Sequence, residues 1–175
     1  MSKKDEQIGE LYDNVSTLHA KVRALKLLLL QVANIVNKDV KPLGPLNDAR
    51  FYMLRNAAAM GDWDDVDMLI QADRSIVAAT NSLEETALHF LVVEDRLDAV
   101  KGLAELGCDV NGNSTSILPM EEAALLSHYE MVDLLVQLGA RINVSELLRQ
   151  AEERNGKKGR KQVKSILTSH KIKTK

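Results

Sequence analysis

The sequence predicts an all-α protein, in which a solenoid of three to four helix pairs follows a long amphipathic helix at the N-terminus. An internal repeat predicts the solenoid. Residues 86–111 and 118–143 agree in apolar pattern, in the closing glycine and in the final asparagine. The two glycines, Gly107 and Gly139, lie 32 residues apart, a period typical of stacked helical repeats. A seven-residue period of apolar side chains over about 5–39 predicts the N-terminal helix.

The N-terminal segment is predicted to be one heptad-patterned helix. Position a holds mostly β-branched residues and position d mostly leucine, which is typical of a parallel two-stranded coiled coil. A homodimer is therefore the first hypothesis. The residues assigned to the contact surface, called the seam below, are Leu11, Val15, Leu18, Val22, Leu25, Leu29 and Val32.

Two features of this segment leave other arrangements open. Lys21 at position g and Lys26 at the following e would face each other in a parallel homodimer, where opposite charges normally set the pairing. Leu27, Leu28 and Leu30 widen the apolar surface beyond two heptad positions. The alternatives to a parallel dimer are an antiparallel pair, a higher-order bundle, or a helix laid against the repeats.

A proline-rich linker separates this helix from the repeats. Pro42 and Pro45 each remove a backbone donor and restrain the preceding residue, so the helix ends before them. Asn47 and Asp48 can then cap the first helix of the solenoid. The predicted boundaries are the helix over 1–41, a hinge over 42–46, the repeats over 47–168 and a basic tail over 169–175.

The repeats carry a recognisable opening motif and closing turn. The second repeat opens with Thr86, Leu88 and His89, and both central repeats close on a glycine. This pattern resembles the ankyrin family, whose repeats of about 33 residues open T-P-L-H-x-A. In the third repeat the matching residues are Pro119, Ala123, Ala124, His128, Glu130, Val132, Leu134, Leu135, Gly139, Ala140 and Asn143. The resemblance spans about 50–168 and implies a stack of helix pairs that binds proteins.

The outer repeats depart from this pattern. The first one lacks the closing glycine, because Asp73 and Arg74 stand there. The fourth, which holds Ala151 and Val163, must absorb the extra residues 155–159 in the turn between its helices. We expect it to cap the stack, since terminal repeats turn a polar side to water.

The resemblance implies a partner surface on the concave side, formed by exposed inner-helix positions and hairpin tips. Trp63, Leu97 and Tyr129 occupy the same position in successive repeats, and aromatic residues in an apolar patch are frequent hot spots. The alternative is that the N-terminal helix covers this strip, or that the register is shifted by one residue. The predicted partner-binding residues are Met60, Trp63, Phe90, Val93, Glu94, Leu97, Leu125, Leu126 and Tyr129.

Charge is distributed unevenly along the chain. From Arg154 to the end there are nine Lys or Arg and no Asp or Glu, which leaves 14 basic and 25 acidic residues before it. Such asymmetry bears on partners and solubility. The basic segment is either a solvated end or a grip on an acidic partner or nucleic acid, and the latter would weaken steeply with salt.

No catalytic or metal motif is found in the sequence. The four histidines lack metal-ligand spacing, and the single cysteine, Cys108, can build neither an internal disulfide nor a zinc site. No run approaches the roughly 18 apolar residues that span a bilayer, and the N-terminus does not resemble a secretory signal. We therefore expect a cytoplasmic, non-enzymatic adaptor or inhibitor without metal or cofactor, with a nucleic-acid-associated protein as the alternative.

Overall fold

A computed structural model of the chain describes residues 15, 17, 18, 20–32, 35, 48–112 and 117–173. The chain divides into two compact parts, 1–41 and 42–175. Leu11 of the seam, the predicted hinge 42–46 and the hairpin tip 113–115 lie outside the described residues.

The described N-terminal residues are helical, and helix α1 is continuous over 20–32. The described seam residues of this helix are each between 41 % and 59 % exposed. Leu30, at heptad position b, is buried, and Lys26 and Leu27 are half-buried. The exposed seam residues among those described are Val15, Leu18, Val22, Leu25, Leu29 and Val32.

The second part is all-helical apart from an isolated antiparallel bridge between Thr80 and Thr86, within the described residues. This confirms the predicted fold class, a solenoid of helix pairs. The helices are α2 (Ala49–Met60), α3 (Trp63–Ala72), α4 (Ala87–Val93), α5 (Leu97–Glu105), α6 (Pro119–Leu126), α7 (Tyr129–Gln137) and α8 (Val144–Ser169), with a 3₁₀ turn over Arg74–Ala78.

Consecutive helices stack in two layers. The inner layer is formed by α2, α4, α6 and α8, each packed on the next, and α5 contacts α7 in the outer layer. Alanines line the inner helices, including Ala57, Ala58, Ala123 and Ala124, all of which are buried. The largest side chains with under 2 % exposure are Phe51, Leu54, Leu69, Ile76, Leu88, Leu91, Leu103, Met120, Met131, Leu135, Leu147 and Leu167.

Helix starts follow local capping chemistry. Asp48 caps α2 as predicted, because its carboxylate accepts a hydrogen bond from the Arg50 backbone N–H at 2.9 Å. The same carboxylate and that of Asp73 flank the Arg50 guanidinium, at 2.6 and 3.2 Å, and its hydrogen bond with Asp48 raises the pKa of Arg50. Pro119 occupies the first turn of α6, as predicted.

The turn between inner and outer helix has the same geometry in three repeats. Gly61, Asp95 and Ser127 take φ values of 72°, 55° and 69°. The residue after each of them donates its backbone N–H to a carbonyl five positions back, as in Asp62 to Ala57 at 3.0 Å and His128 to Ala123 at 2.9 Å. This left-handed reversal closes the inner helix and aims the chain into the outer one.

Outer helices end as the sequence predicts. Gly107 and Gly139 have φ values of 83° and 78°, a region that glycine adopts without a Cβ clash. In the first repeat Asp73 is extended instead, with φ −150°, and its side chain caps the 3₁₀ turn through the Ser75 N–H at 2.9 Å. The first repeat is therefore irregular at its close.

The fourth repeat is a helical hairpin within α8. Gly156 interrupts the helix with φ 56° and ψ −149°, values available to glycine alone. Arg160 then reaches back to Glu152 at 3.0 Å, and a Cβ at Gly159 would overlap the Ala151 carbonyl oxygen. Residues eight apart in a straight helix are separated by about 12 Å, so the chain must reverse here. The predicted turn between the two helices of this repeat is confirmed.

Replacing Gly159 with valine should destabilise the stack by about 1–3 kcal/mol, since the added carbons have no space against the Ala151 carbonyl and the Tyr129 hydroxyl. Chemical denaturation followed by circular dichroism measures the change. The matched control is Ser165→Val, which introduces the same residue at an exposed position of the same helical segment and should change stability by about 0.5 kcal/mol or less. Equal midpoints for the two variants would contradict the close packing.

Candidate partner-binding surface

The aligned residues Trp63, Leu97 and Tyr129 do occupy equivalent positions, but on the outer helices. Each is the first residue of its helix: α3, α5 and α7. The prediction that they lie on inner helices is wrong, because each inner helix ends three or four residues earlier, at Met60, Val93 and Leu126. The left-handed turn residue lies between the end of each inner helix and the start of the outer helix that follows it.

The most exposed of the predicted residues is Met60, at 84 %. It lies at the end of α2, beside a groove of about 500 Å³ between the first two repeats. The groove brings together Met60, Trp63 and Leu97, which the sequence predicted as partner-binding residues. Its full lining is Ala58, Ala59, Met60, Gly61, Trp63, Asp95, Arg96, Leu97, Asp98 and Ala99.

Trp63 is half-buried because its ring lies against the backbone of the second repeat. A Cβ at Gly102 would overlap the far edge of the indole. Arg96, also in the second repeat, donates a hydrogen bond to the Ala59 carbonyl oxygen of the first repeat. The walls of the groove are therefore fixed by contacts between repeats, and a partner would meet a largely preformed surface.

Phe90 is engaged within the molecule. Its ring packs edge-on against Phe51 at 5.7 Å, and the Arg55 guanidinium lies 5.1 Å from its centroid. Arg55 also forms an ion pair with Glu94. Phe90 and Glu94, both predicted binding residues, therefore contact the same guanidinium. This cluster holds the first two inner helices together.

Tyr129 lies apart from the groove and supports the fourth repeat. Its hydroxyl is 3.1 Å from Asn155 Nδ2, which also donates to the Ser127 hydroxyl at 2.8 Å. Val93, Leu125 and Leu126 are half-buried. The predicted apolar strip is therefore most open at the Met60 end.

The first hairpin tip is organised by Asn81, which is 6 % exposed. Its Oδ1 accepts from the backbone N–H groups of Leu83 and Glu85 at 2.9 and 3.0 Å, and its Nδ2 donates to the Glu85 carboxylate at 2.6 Å. The side chain of Asn81 is thus fully engaged in hydrogen bonds that shape the turn.

The basic C-terminal segment is mostly helix. Lys157, Lys161 and Lys164 lie on one exposed side of the last helical segment, while Val163 and Leu167 are buried on the other. A shallow groove of about 470 Å³ runs along the exposed side, lined by Lys161, Lys164, Ser165, Thr168 and Ser169. Six of the nine basic residues from Arg154 onward therefore lie ahead of the predicted tail. The side of the helix that carries Lys157, Lys161 and Lys164 is called the lysine face below.

Cys108 is buried just after the glycine that closes the second repeat. Burial raises the pKa of its thiol to about 11, although the nearby Arg74 guanidinium acts in the opposite direction. The thiolate is the reactive form, so this cysteine is inert near neutral pH and serves as a small core residue.

One group of polar residues was missed by the sequence analysis. Glu85, His89 and Glu122 come together between the second and third repeats, with one ligand atom of each within 4.8 Å of the others. His89 Nε2 lies 2.9 Å from a Glu122 oxygen. The sequence contains no short motif that would reveal this group, because Glu122 lies a whole repeat away from His89.

The comparison with known families agrees with this architecture. Residues 54–146 match the family model for ankyrin repeats, in three copies. The chain belongs to the ankyrin-repeat family, whose repeats are protein-interaction modules. No curated protein matches the chain.

Among the described residues, no helix combines the length and apolar character needed to cross a membrane. The cytoplasmic location stays a prediction from the sequence.

Proposed function

We propose that this chain is a non-enzymatic binding protein that holds a partner protein against its ankyrin stack, as an inhibitor or scaffold. The exposed Met60 beside the groove formed with Trp63 and Leu97 is the observation that carries the proposal. An exposed methionine next to a tryptophan is an adaptable apolar contact, and such patches mark interaction sites.

The groove favours a partner with a protruding apolar side chain. Its lining includes the small residues Ala58, Ala59 and Ala99, beside which a partner can approach the backbone closely. Asp95 and Asp98 lie at the same groove and, against the single cation Arg96, leave its lining with a net negative charge. A segment in which an apolar residue is flanked by Lys or Arg matches both features.

Self-association through α1 is the second part of the proposal. All described seam residues are between 41 % and 59 % exposed, while the burial on this helix falls on Leu30. A helix face with so many large aliphatic residues is stabilised when a second apolar face covers it, and a second copy supplies one. A dimer would present two stacks and raise the effective affinity for a repeated partner.

The lysine face supports a second candidate function, which is association with nucleic acid. Three lysines at helical spacing, with no acidic residue between them, project from the last helical segment and are followed by the hydroxyl side chains of Ser165, Thr168 and Ser169. Phosphates are neutralised by such a surface, and hydroxyl groups donate hydrogen bonds to phosphate oxygens.

A photo-crosslinking amino acid placed at position 60 should capture the partner in extracts of the native cell. The same amino acid at position 101, which is exposed on α5, is the control and should give no matching adduct. Substitution of Met60 with aspartate should weaken binding to the captured partner at least tenfold, on the order of the loss expected for a central apolar contact. Equal adducts from both positions would argue against the groove.

Leu25→Glu should dissociate the dimer, because two seam leucines per dimer would be replaced by charges. Each buried leucine contributes roughly 1.5–3 kcal/mol, so the dissociation constant should rise at least a hundredfold. Sedimentation equilibrium of the full chain measures it. Ala24→Glu changes the neighbouring exposed residue outside the seam and should leave the dimer intact. A monomeric wild-type chain at high micromolar concentration would refute the dimer.

Replacing Lys161 and Lys164 with glutamine should lower the salt dependence of oligonucleotide binding. Loss of two phosphate contacts reduces the slope of log K against log salt by about 1.4–1.8. Fluorescence anisotropy with labelled single-stranded and duplex oligonucleotides measures the slope, and Lys101→Gln is the control. An unchanged slope in the double variant would exclude the lysine face from nucleic-acid binding.

A further inference from the structure

The contact between the second and third repeats contains three potential metal ligands. Glu85 follows the hairpin tip, His89 lies on α4, and Glu122 lies on the first turn of α6. One donor atom from each lies within 4.8 Å of the other two. One imidazole nitrogen and two carboxylate oxygens form a three-ligand set of the kind that binds divalent zinc-class ions.

His89 is enclosed by the protein at this position. Its side chain is fully buried, and its Nε2 lies 2.9 Å from the Glu122 carboxylate, whose side chain is 21 % exposed. Within the described part of the chain, its Nδ1 is buried and has no hydrogen-bond partner. A buried imidazole nitrogen without a partner costs free energy, so interactions of this repeat must offset it.

The charge of the group is unbalanced. Two carboxylates lie within 4.8 Å of one imidazole, and a neutral imidazole has a single N–H to donate. Asn81 Nδ2 donates to one Glu85 oxygen at 2.6 Å, but an amide brings no positive charge. A cation between the two carboxylates would remove their mutual repulsion.

We propose that Glu85, His89 and Glu122 form a binding site for a zinc-class divalent cation that links the second repeat to the third. Ligand atoms around a tetrahedral zinc ion lie roughly 3.5 Å apart, given bonds of about 2.0–2.2 Å. The present spacing, 2.9 Å between His89 Nε2 and a Glu122 oxygen and up to 4.8 Å within the set, brackets this value.

The surroundings of the set suit such a site. Asn81 already orients Glu85 through its 2.6 Å hydrogen bond, the kind of outer contact that aligns ligating carboxylates. Both glutamates are half-buried, so the ion has a path from solvent. Because the ligands come from two repeats, binding would stabilise their stacking and raise the unfolding temperature.

Zinc titration of the full chain, freed of metal by a chelator, tests the site. We expect one zinc ion per chain by isothermal titration calorimetry and a rise in unfolding temperature that equimolar magnesium or calcium does not produce. Hard cations prefer all-oxygen sites, so selectivity for zinc reports the imidazole ligand.

Glu122→Gln and Glu85→Gln should each weaken zinc binding at least tenfold, because an amide replaces an anionic ligand. Glu105→Gln, at an exposed position of α5, is the matched control and should bind zinc as the wild type does. His170 lies 2.7 Å from Asp133 and is another histidine that could bind zinc together with a carboxylate. The variant His170→Asn removes this pair and should leave zinc binding unchanged.

Two results would overturn the proposal: no zinc binding at micromolar concentration, or equal binding by the wild type and both glutamine variants of the site. If Glu122→Gln does not fold, Glu85→Gln carries the test, because its carboxylate lies outside the helices. None of these outcomes depends on the partner-binding groove, so the site and the proposed function fail separately.

Discussion

The left-handed residue that ends each inner helix is the constraint on which the stack depends. Gly61, Asp95 and Ser127 adopt this conformation in successive repeats, although only glycine does so without cost. Aspartate and serine are held there because the packed helix pair requires the reversal. Each turn therefore fixes where the next outer helix begins, and with it the position of the residue that opens that helix.

Close helix approach then decides which apolar side chains remain available. Glycines at 102 and 159 leave space that the Trp63 ring and the Tyr129 hydroxyl partly fill. Part of each of these two aromatic side chains is therefore packed between repeats, and only the remaining part is accessible to a partner. Met60 remains 84 % exposed. The exposed apolar surface of the predicted strip is therefore concentrated at the groove between the first two repeats.

The surfaces available for binding lie on separate elements. The groove belongs to the first two repeats, the lysine face to the last helical segment, and the seam to α1. Because these surfaces share no residue, a substitution in one need not disturb the others. The polar group around His89, like the groove, lies where two repeats meet, so a change there also affects the stack.

The sequence by itself determined the elements that local chemistry controls. Its period predicted the helix pairs, Asp48 and Pro119 marked helix starts, and Gly107 and Gly139 marked helix ends. Tertiary structure decided the rest: that Trp63 opens an outer helix, that Phe90 is held by Arg55, and that Glu122 meets His89. Capping depends on neighbouring residues in the chain, whereas these contacts depend on how one repeat is rotated against the next, which periodicity does not specify.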